Sequence, residues 1–184
     1  TGLTPGTTYD IYIRVDCNAV GDGFGSFIGP FNFKTLCDTI ATYANNFDND
    51  PAGVVPDCFT AIKTNVGNTT PNIVQTYIYT SPNSLPNHIR MYNGSNTNGS
   101  SKTVLVSPHF SDLGVGGDKQ LTFKAKTSSS TGESIILGTL SNPLDPATFD
   151  TLAEYSLTTT YQSFKYYFTP TSGYNGADQY IGLM

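Results

Sequence analysis

Leu121, Phe123 and Ala125 alternate with Thr122, Lys124 and Lys126. Successive side chains of a strand point to opposite faces, so this spacing predicts a strand with one face in the core and one in water. Phe164, Tyr166 and Phe168 repeat the pattern and predict a second such strand. Ile135-Ile136-Leu137 has no polar alternation, which predicts a central strand covered on both faces. Further candidate strands bring the set to 74–80, 89–92, 103–106, 120–126, 134–139, 153–157, 163–169 and 179–184. Turn-forming groups separate them: Ser81-Pro82-Asn83, Asn93-Gly94, Asn98-Gly99, residues 114–117, Asn142-Pro143 and Asn175-Gly176. Proline presets φ, glycine tolerates positive φ and asparagine bonds its own backbone. Only residues 146–150 could hold a helical turn. Short strands at this spacing predict an all-β fold, a sandwich or jelly roll.

Residues 1–35 carry a pattern of their own. Gly2-Leu3-Thr4-Pro5-Gly6-Thr7-Thr8-Tyr9 leads into the alternating run Ile11-Tyr12-Ile13-Arg14-Val15, and Phe31-Asn32-Phe33-Lys34-Thr35 closes the segment. This resembles the last third of a fibronectin type III domain, with Tyr9 as the tyrosine whose phenol ties back to nearby backbone. Such a sandwich takes about 100 residues. The resemblance therefore implies that residues 1–36 are the C-terminal part of a fibronectin type III sandwich from a longer multidomain protein. The rest of the parent polypeptide is then its expected partner, because an unpaired sheet edge is a liability.

The chain has three cysteines. In the fibronectin-like segment Cys17 ends one strand and Cys37 follows the next, antiparallel one, which puts them at opposite ends. Roughly eight residues of strand at about 3.3 Å each lie between those ends, far beyond the ~7 Å limit between bridged Cα atoms. Cys37 with Cys58 is the favoured disulfide, leaving Cys17 free or paired elsewhere. Three small buried thiols are the alternative.

Composition narrows the function. Hydrophobic residues are 38% of the 184, enough for a core. Charged residues are only 12%, so the surface must be built from neutral polar side chains, as in extracellular β-proteins. A net charge of -5 offers no basic stripe, which argues against nucleic acid and anionic membrane surfaces as partners. No run of 18 apolar residues is present, so no membrane insertion by a helix is expected.

A second resemblance rests on the order of motifs after residue 36. These are Asn46-Phe47-Asp48, Pro56-Asp57-Cys58-Phe59, the segment Leu105-Val106-Ser107-Pro108-His109-Phe110-Ser111-Asp112-Leu113, then Leu121-Thr122-Phe123, and Gly138-Thr139-Leu140 with Thr148-Phe149. Together they resemble the MAM-like jelly roll, the cleaved-adhesin or choice-of-anchor type of secreted Bacteroidota proteins, over residues 37–184. The Leu-Val-Ser-Pro-x-Phe segment is the most specific part. The chain departs from the family at Phe59, where a tryptophan usually follows the cysteine, and in lacking the Ile-Asp-Asp-like closing strand. The resemblance implies a non-catalytic adhesion or binding module of a secreted or cell-surface protein, exported by the type IX route, with an extracellular glycan or protein as ligand. An accessory substrate-targeting domain of a secreted hydrolase and a structural spacer in an adhesin stalk are the alternatives. The resemblance also implies a structural calcium that joins carboxylates of the first strand to one in the last strand.

Candidate sites follow. Asp48, Asn49, Asp50 and Asp57 supply hard oxygen ligands of the kind calcium requires. The two metal candidates are Asp48 and Asp50, weighed against a solvated turn in which they cap backbone amides. In His88-Ile89-Arg90-Met91-Tyr92, alternation places His88, Arg90 and Tyr92 on one face. An imidazole, a guanidinium and a phenol together could hold a sugar by stacking and hydrogen bonding, or form an ordinary polar outer face. Gln75, Tyr77 and Tyr79 form another same-face set, read as an amphipathic strand. No enzyme is expected: the two histidines are far apart in sequence, Glu133 and Glu154 are the only glutamates, and no nucleophile elbow is present. Convergence of Asp112, Asp118 and Asp145 on a paired-carboxylate site has no spacing rule behind it. Asn68, Asn93 and Asn98 match the N-glycosylation pattern. Asp38-Thr39-Ile40 and Asp150-Thr151-Leu152 resemble Asp-Thr-aliphatic O-glycosylation sites, making Thr39 and Thr151 candidates.

Overall fold

The computed structural model of the chain describes residues 2–16, 21, 23–66, 70–94, 101–113, 119–128, 132–174 and 176–184. These fold as two compact units, residues 1–38 and 39–184. Both are built from antiparallel strands, and the only helical pieces among the described residues are short 3-10 turns.

The first unit is a pair of strands, β1 (Thr8–Ile13) and β2 (Ile28–Lys34). Tyr9 lies opposite Phe33, Ile11 opposite Phe31 and Ile13 opposite Ile28, while Thr8 faces Lys34 and Asp10 faces Asn32. The pleat thus sorts apolar side chains to one face and polar ones to the other. On the polar face the Asn32 amide donates to the Asp10 carboxylate. The expected tie of the Tyr9 phenol to nearby backbone is present, with the Thr4 N–H donating to the Tyr9 oxygen at 2.7 Å. The Tyr9 and Phe33 rings stack at 5.8 Å. Within this unit Ile11, Ile13, Ile28 and Phe31 remain exposed.

The second unit holds β3 (Thr60–Thr64), β4 (Ile73–Ile78), β5 (Asn87–Tyr92), β6 (Lys102–Val106), β7 (Lys119–Ala125), β8 (Ser134–Leu140), β9 (Phe149–Ser156), β10 (Gln162–Phe168) and β11 (Tyr180–Leu183). Five of them form one sheet in the order β3-β6-β11-β8-β9. The pairs β7 with β10 and β4 with β5 form two further sheets. As its unbroken apolar run predicts, β8 is internal and covered on both faces. Leu137 belongs to a cluster with Phe168, Tyr166, Leu113 and Ile181, and Leu140 to a second cluster with Ile62, Val104 and Val106. The β7–β10 pair supplies the cover for the first of these, with Leu121 opposite Tyr166 and Phe123 opposite Phe164. Lys124 and Lys165 are exposed on its outer face.

All eight candidate strands are present, with ends displaced by a few residues; the first stops at Ile78 and not at residue 80. β3 was not anticipated, because Thr-Ala-Ile-Lys-Thr offers a single strong apolar residue, Ile62, and no visible alternation. The expected helical turn is a 3-10 turn at Pro146–Thr148, capped by the Ala147 N–H donating to Asp145 Oδ1 at 2.9 Å. A second 3-10 turn at Pro170–Ser172 corrects the expectation of only one. Thr169 and Ser172 hold it by exchanging side-chain and backbone hydrogen bonds. The turn groups Asn98-Gly99, residues 114–117 and Asn175 lie outside the described residues.

Cys37 and Cys58 are disulfide-bonded, so the alternative of three buried thiols falls. Cys17 lies outside the described residues. A disulfide persists in oxidising compartments, and this one points to a non-cytoplasmic location. No helix among the described residues is long and apolar enough to cross a membrane.

Candidate functional site

β4 and β5 pair antiparallel with Tyr77 opposite His88, Gln75 opposite Arg90 and Ile73 opposite Tyr92. Their inner face carries Val74 and Thr76, both buried, with Ile89 and Met91 opposite them. Three sets of hydrogen bonds fix which way the hairpin lies. Gly53 N–H donates to the Thr76 carbonyl and Thr76 N–H to the Val54 carbonyl, each at 2.7 Å, so a passing segment lines the free edge of β4. The buried Asn87 amide donates to the Asp50 carbonyl at 2.9 Å. The buried Asn72 amide donates to the carbonyls of Thr64 and Lys102 and accepts from Gly94 N–H, joining the hairpin's far end to β3 and β6.

The outer face is then a continuous surface of rings and cations. Sequence alternation placed His88, Arg90 and Tyr92 on one face and Gln75, Tyr77 and Tyr79 on another strand's face. The register makes these a single face. The His88 ring meets Tyr77 and Tyr79 edge-on at 5.9 and 5.8 Å. The Arg90 guanidinium lies 5.0 Å from the Tyr77 ring centre and 5.9 Å from that of Tyr92. Two residues that local patterning could not connect to this face complete it. Lys126, just past β7, holds its ammonium 5.6 Å from the Tyr79 ring and 4.7 Å from the Tyr161 ring. It also donates to the Ser81 carbonyl at 3.1 Å, in the β4–β5 connection. Only tertiary packing brings residues 126 and 161 to residue 79, so no local signal could have found them.

The electrostatics of the face are one-signed. The His88 imidazole is held below its ordinary pKa, first by burial and then by the positive charges of Lys126 and Arg90. Its Nδ1 is buried without a hydrogen-bond partner among the described residues. Because this depresses the folded-state pKa below the unfolded value of about 6.5, the unfolded chain takes up the proton first as pH falls. Stability from a neutral His88 is therefore complete above about pH 7 and lost as pH drops through the unfolded pKa toward the lowered folded one. Chemical denaturation at pH 7.5, 6.5 and 5.5 should show a falling midpoint, with a smaller fall in His88→Gln; equal falls in both proteins would contradict the assignment.

The other candidates lie elsewhere. The Asp48 carboxylate accepts from the Ser84 hydroxyl at 3.1 Å, the Asn46 amide at 2.6 Å and the Asn87 N–H at 3.4 Å. Asp50 Oδ2 accepts from the Asn45 amide at 2.8 Å. These contacts agree with the reading of a hydrogen-bonded turn, in which both carboxylates accept from nearby donors. Among the described residues no group of three or more His, Cys, Asp or Glu could hold a metal ion. Asp57 likewise has interactions of its own. Phe59 packs edge-on against Tyr43 and Phe47 at 5.3 and 6.1 Å, as an aromatic plug beside the disulfide-bonded Cys58.

Of the carboxylates weighed for catalysis, Asp145 caps the first 3-10 turn and Asp118 lies outside the described residues. Asp112 acts with the buried Asp178 on Tyr174, whose phenol is pushed up by burial first and by those two charges after it. Thr39 and Thr151 are both exposed, and the Thr39 hydroxyl bonds His109 Nδ1 at 3.1 Å. Asn93 is exposed with its amide donating to the Ser101 carbonyl at 2.9 Å, while Asn68 and Asn98 lie outside the described residues. Comparison with family models, with curated proteins and with solved structures finds no match.

Proposed function

We propose that the chain is a non-catalytic binding module of a secreted or cell-surface multidomain protein, and that the outer face of β4 and β5 holds its ligand, a glycan. The observation that carries this reading is the joining of His88, Arg90 and Tyr92 to Tyr77 and Tyr79 on one accessible surface. Phenol rings offer flat apolar area with a polar edge, and the guanidinium offers fixed donors, the combination that sugar faces and hydroxyls require. The Cys37–Cys58 bond supports an extracellular setting. The sequence resemblance to adhesin-type jelly rolls supports adhesion as the role and the type IX route as the export path. A structural calcium at Asp48 and Asp50 is part of the proposal on that same resemblance, beside the donors those carboxylates already meet. For the first unit, a further β-sheet of the parent polypeptide is the proposed partner, supported by the exposed apolar face of Ile11, Ile13, Ile28 and Phe31.

The test is a pull-down of the chain on immobilised polysaccharides of varied composition. Saturable binding that Tyr92→Ala removes while the melting temperature holds is the expected result. Absence of binding across the panel would move the function to a structural or protein-binding segment.

A further inference from the structure

Along the outer face of β4 and β5 each of two cations is flanked by tyrosine rings. Lys126 lies between the rings of Tyr161 and Tyr79, and Arg90 between those of Tyr77 and Tyr92. Tyr77 and Tyr79 are themselves neighbours at 6.4 Å, which makes the row unbroken. From the position of Tyr92, opposite Ile73, to Tyr79 is six residues of strand, about 20 Å at ~3.3 Å each. That length suits an oligosaccharide chain better than a single sugar.

The charge on this row is uncompensated. Among the described residues neither Arg90 nor Lys126 forms an ion pair. The charges that act on His88, between them, are those same two cations and no carboxylate. This is unusual on a chain of net charge -5, where acids outnumber bases by 14 to 9. An anion laid along the row would meet both cations over their tyrosine faces.

We infer that the Tyr161–Lys126–Tyr79–Tyr77–Arg90–Tyr92 row binds an acidic polysaccharide, one that carries carboxylate or sulfate groups along its length, with sugar rings against the tyrosines and anionic groups at Arg90 and Lys126. This rests on the glycan reading above and narrows it to one chemical class. Guanidinium and ammonium differ in what they favour: Arg90 presents a planar fork that fits a carboxylate in two bonds, and Lys126 a point charge.

The experiment is a binding titration of the chain against four soluble probes at fixed ionic strength: polygalacturonate, a sulfated galactan, neutral dextran and a single-stranded oligothymidylate. The expected result is binding to one or both acidic polysaccharides at least tenfold tighter than to dextran. Arg90→Met and Lys126→Met should each weaken it about tenfold, the scale of a charge-assisted hydrogen bond. Lys165→Met, which removes the same charge from the outer face of β10, should leave it within twofold. Melting curves of each variant check that the fold is retained. Equal binding to dextran and the acidic probes would overturn the inference and leave the glycan reading standing. Binding to none of the three polysaccharides would overturn both. Oligothymidylate binding as tight as that of the acidic probes would overturn the inference in favour of a generic polyanion surface, as would an equal loss in Lys165→Met.

Discussion

Replacing Gly138 by Ala is expected to destabilise the second unit by about 3 kcal/mol, at the upper end of the ~1–3 kcal/mol typical of overpacked cores. A Cβ at this position would stand 2.5 Å from the Asp150 carbonyl oxygen and 2.5 Å from two atoms of the Phe149 ring. Both obstacles come from β9, paired to β8 by a ladder that slips at this point. Leu137 faces Ala153 but Gly138 faces Thr151, so Leu152 is an extra residue in a bulge. The bulge and the missing side chain together let the Phe149 ring lie across β8 and reach Gly182 of β11, where an added Cβ would meet it at 2.7 Å. Gly182→Ala should cost less, because its nearest contacts are the ends of the Leu140 and Phe149 side chains and neither is backbone. The measurement is the urea midpoint of both variants beside the parent. A midpoint for Gly138→Ala within error of the parent would show that β9 can shift, and that Phe149 does not depend on the glycine.

That pair of glycines marks where sequence reading runs out. Period-two alternation exposed β7 and β10, and the unbroken run Ile135-Ile136-Leu137 exposed the buried position of β8, because each pattern states which faces of one strand are covered. Alternation also placed His88, Arg90 and Tyr92 together, and turn residues bracketed β4 and β5. Alternation alone does not state which strands are neighbours. The joining of Tyr77 to His88 depends on hairpin register, and the arrival of Lys126 and Tyr161 depends on how β7 and β10 pack. Gly138 reads in sequence as part of a Gly-Thr-Leu motif, with no sign of the ring from β9 that requires it. β3 escaped for a different reason: its place at the sheet edge needs only Ile62 to be buried, so Lys63 and the threonines around it show no contrast between faces.

The second large effect is expected at Phe168, where Phe168→Ala should cost about 3–5 kcal/mol. Phe168 is 1% exposed and meets Tyr166 and Tyr174 edge-on at 5.1 and 5.5 Å. It joins Leu113, Leu137 and Ile181 in the cluster between the β7–β10 pair and the larger sheet. Removing the ring takes away its transfer free energy and leaves a cavity whose walls are strands on both sides, which collapse poorly. Against a total stability of about 5–15 kcal/mol, that loss is a fifth or more, and at about 2–4 degrees per kcal/mol the melting temperature should fall by about 6–20 degrees. Phe168→Leu, which keeps most of the volume, should cost about 1–1.5 kcal/mol. The position of Phe168 along β10 gives the prediction its functional edge. It lies opposite Lys119, at the far end of the pair from Gln162 and Ala125, beside which Tyr161 and Lys126 reach the β4–β5 face. Phe168→Ala should therefore bind ligand normally at temperatures where it is folded, while Arg90→Met binds poorly and melts normally. If the folded Phe168→Ala protein instead lost binding in step with its stability, the row of rings and cations would depend on the whole core for its geometry, and β4 and β5 would not carry it on their own.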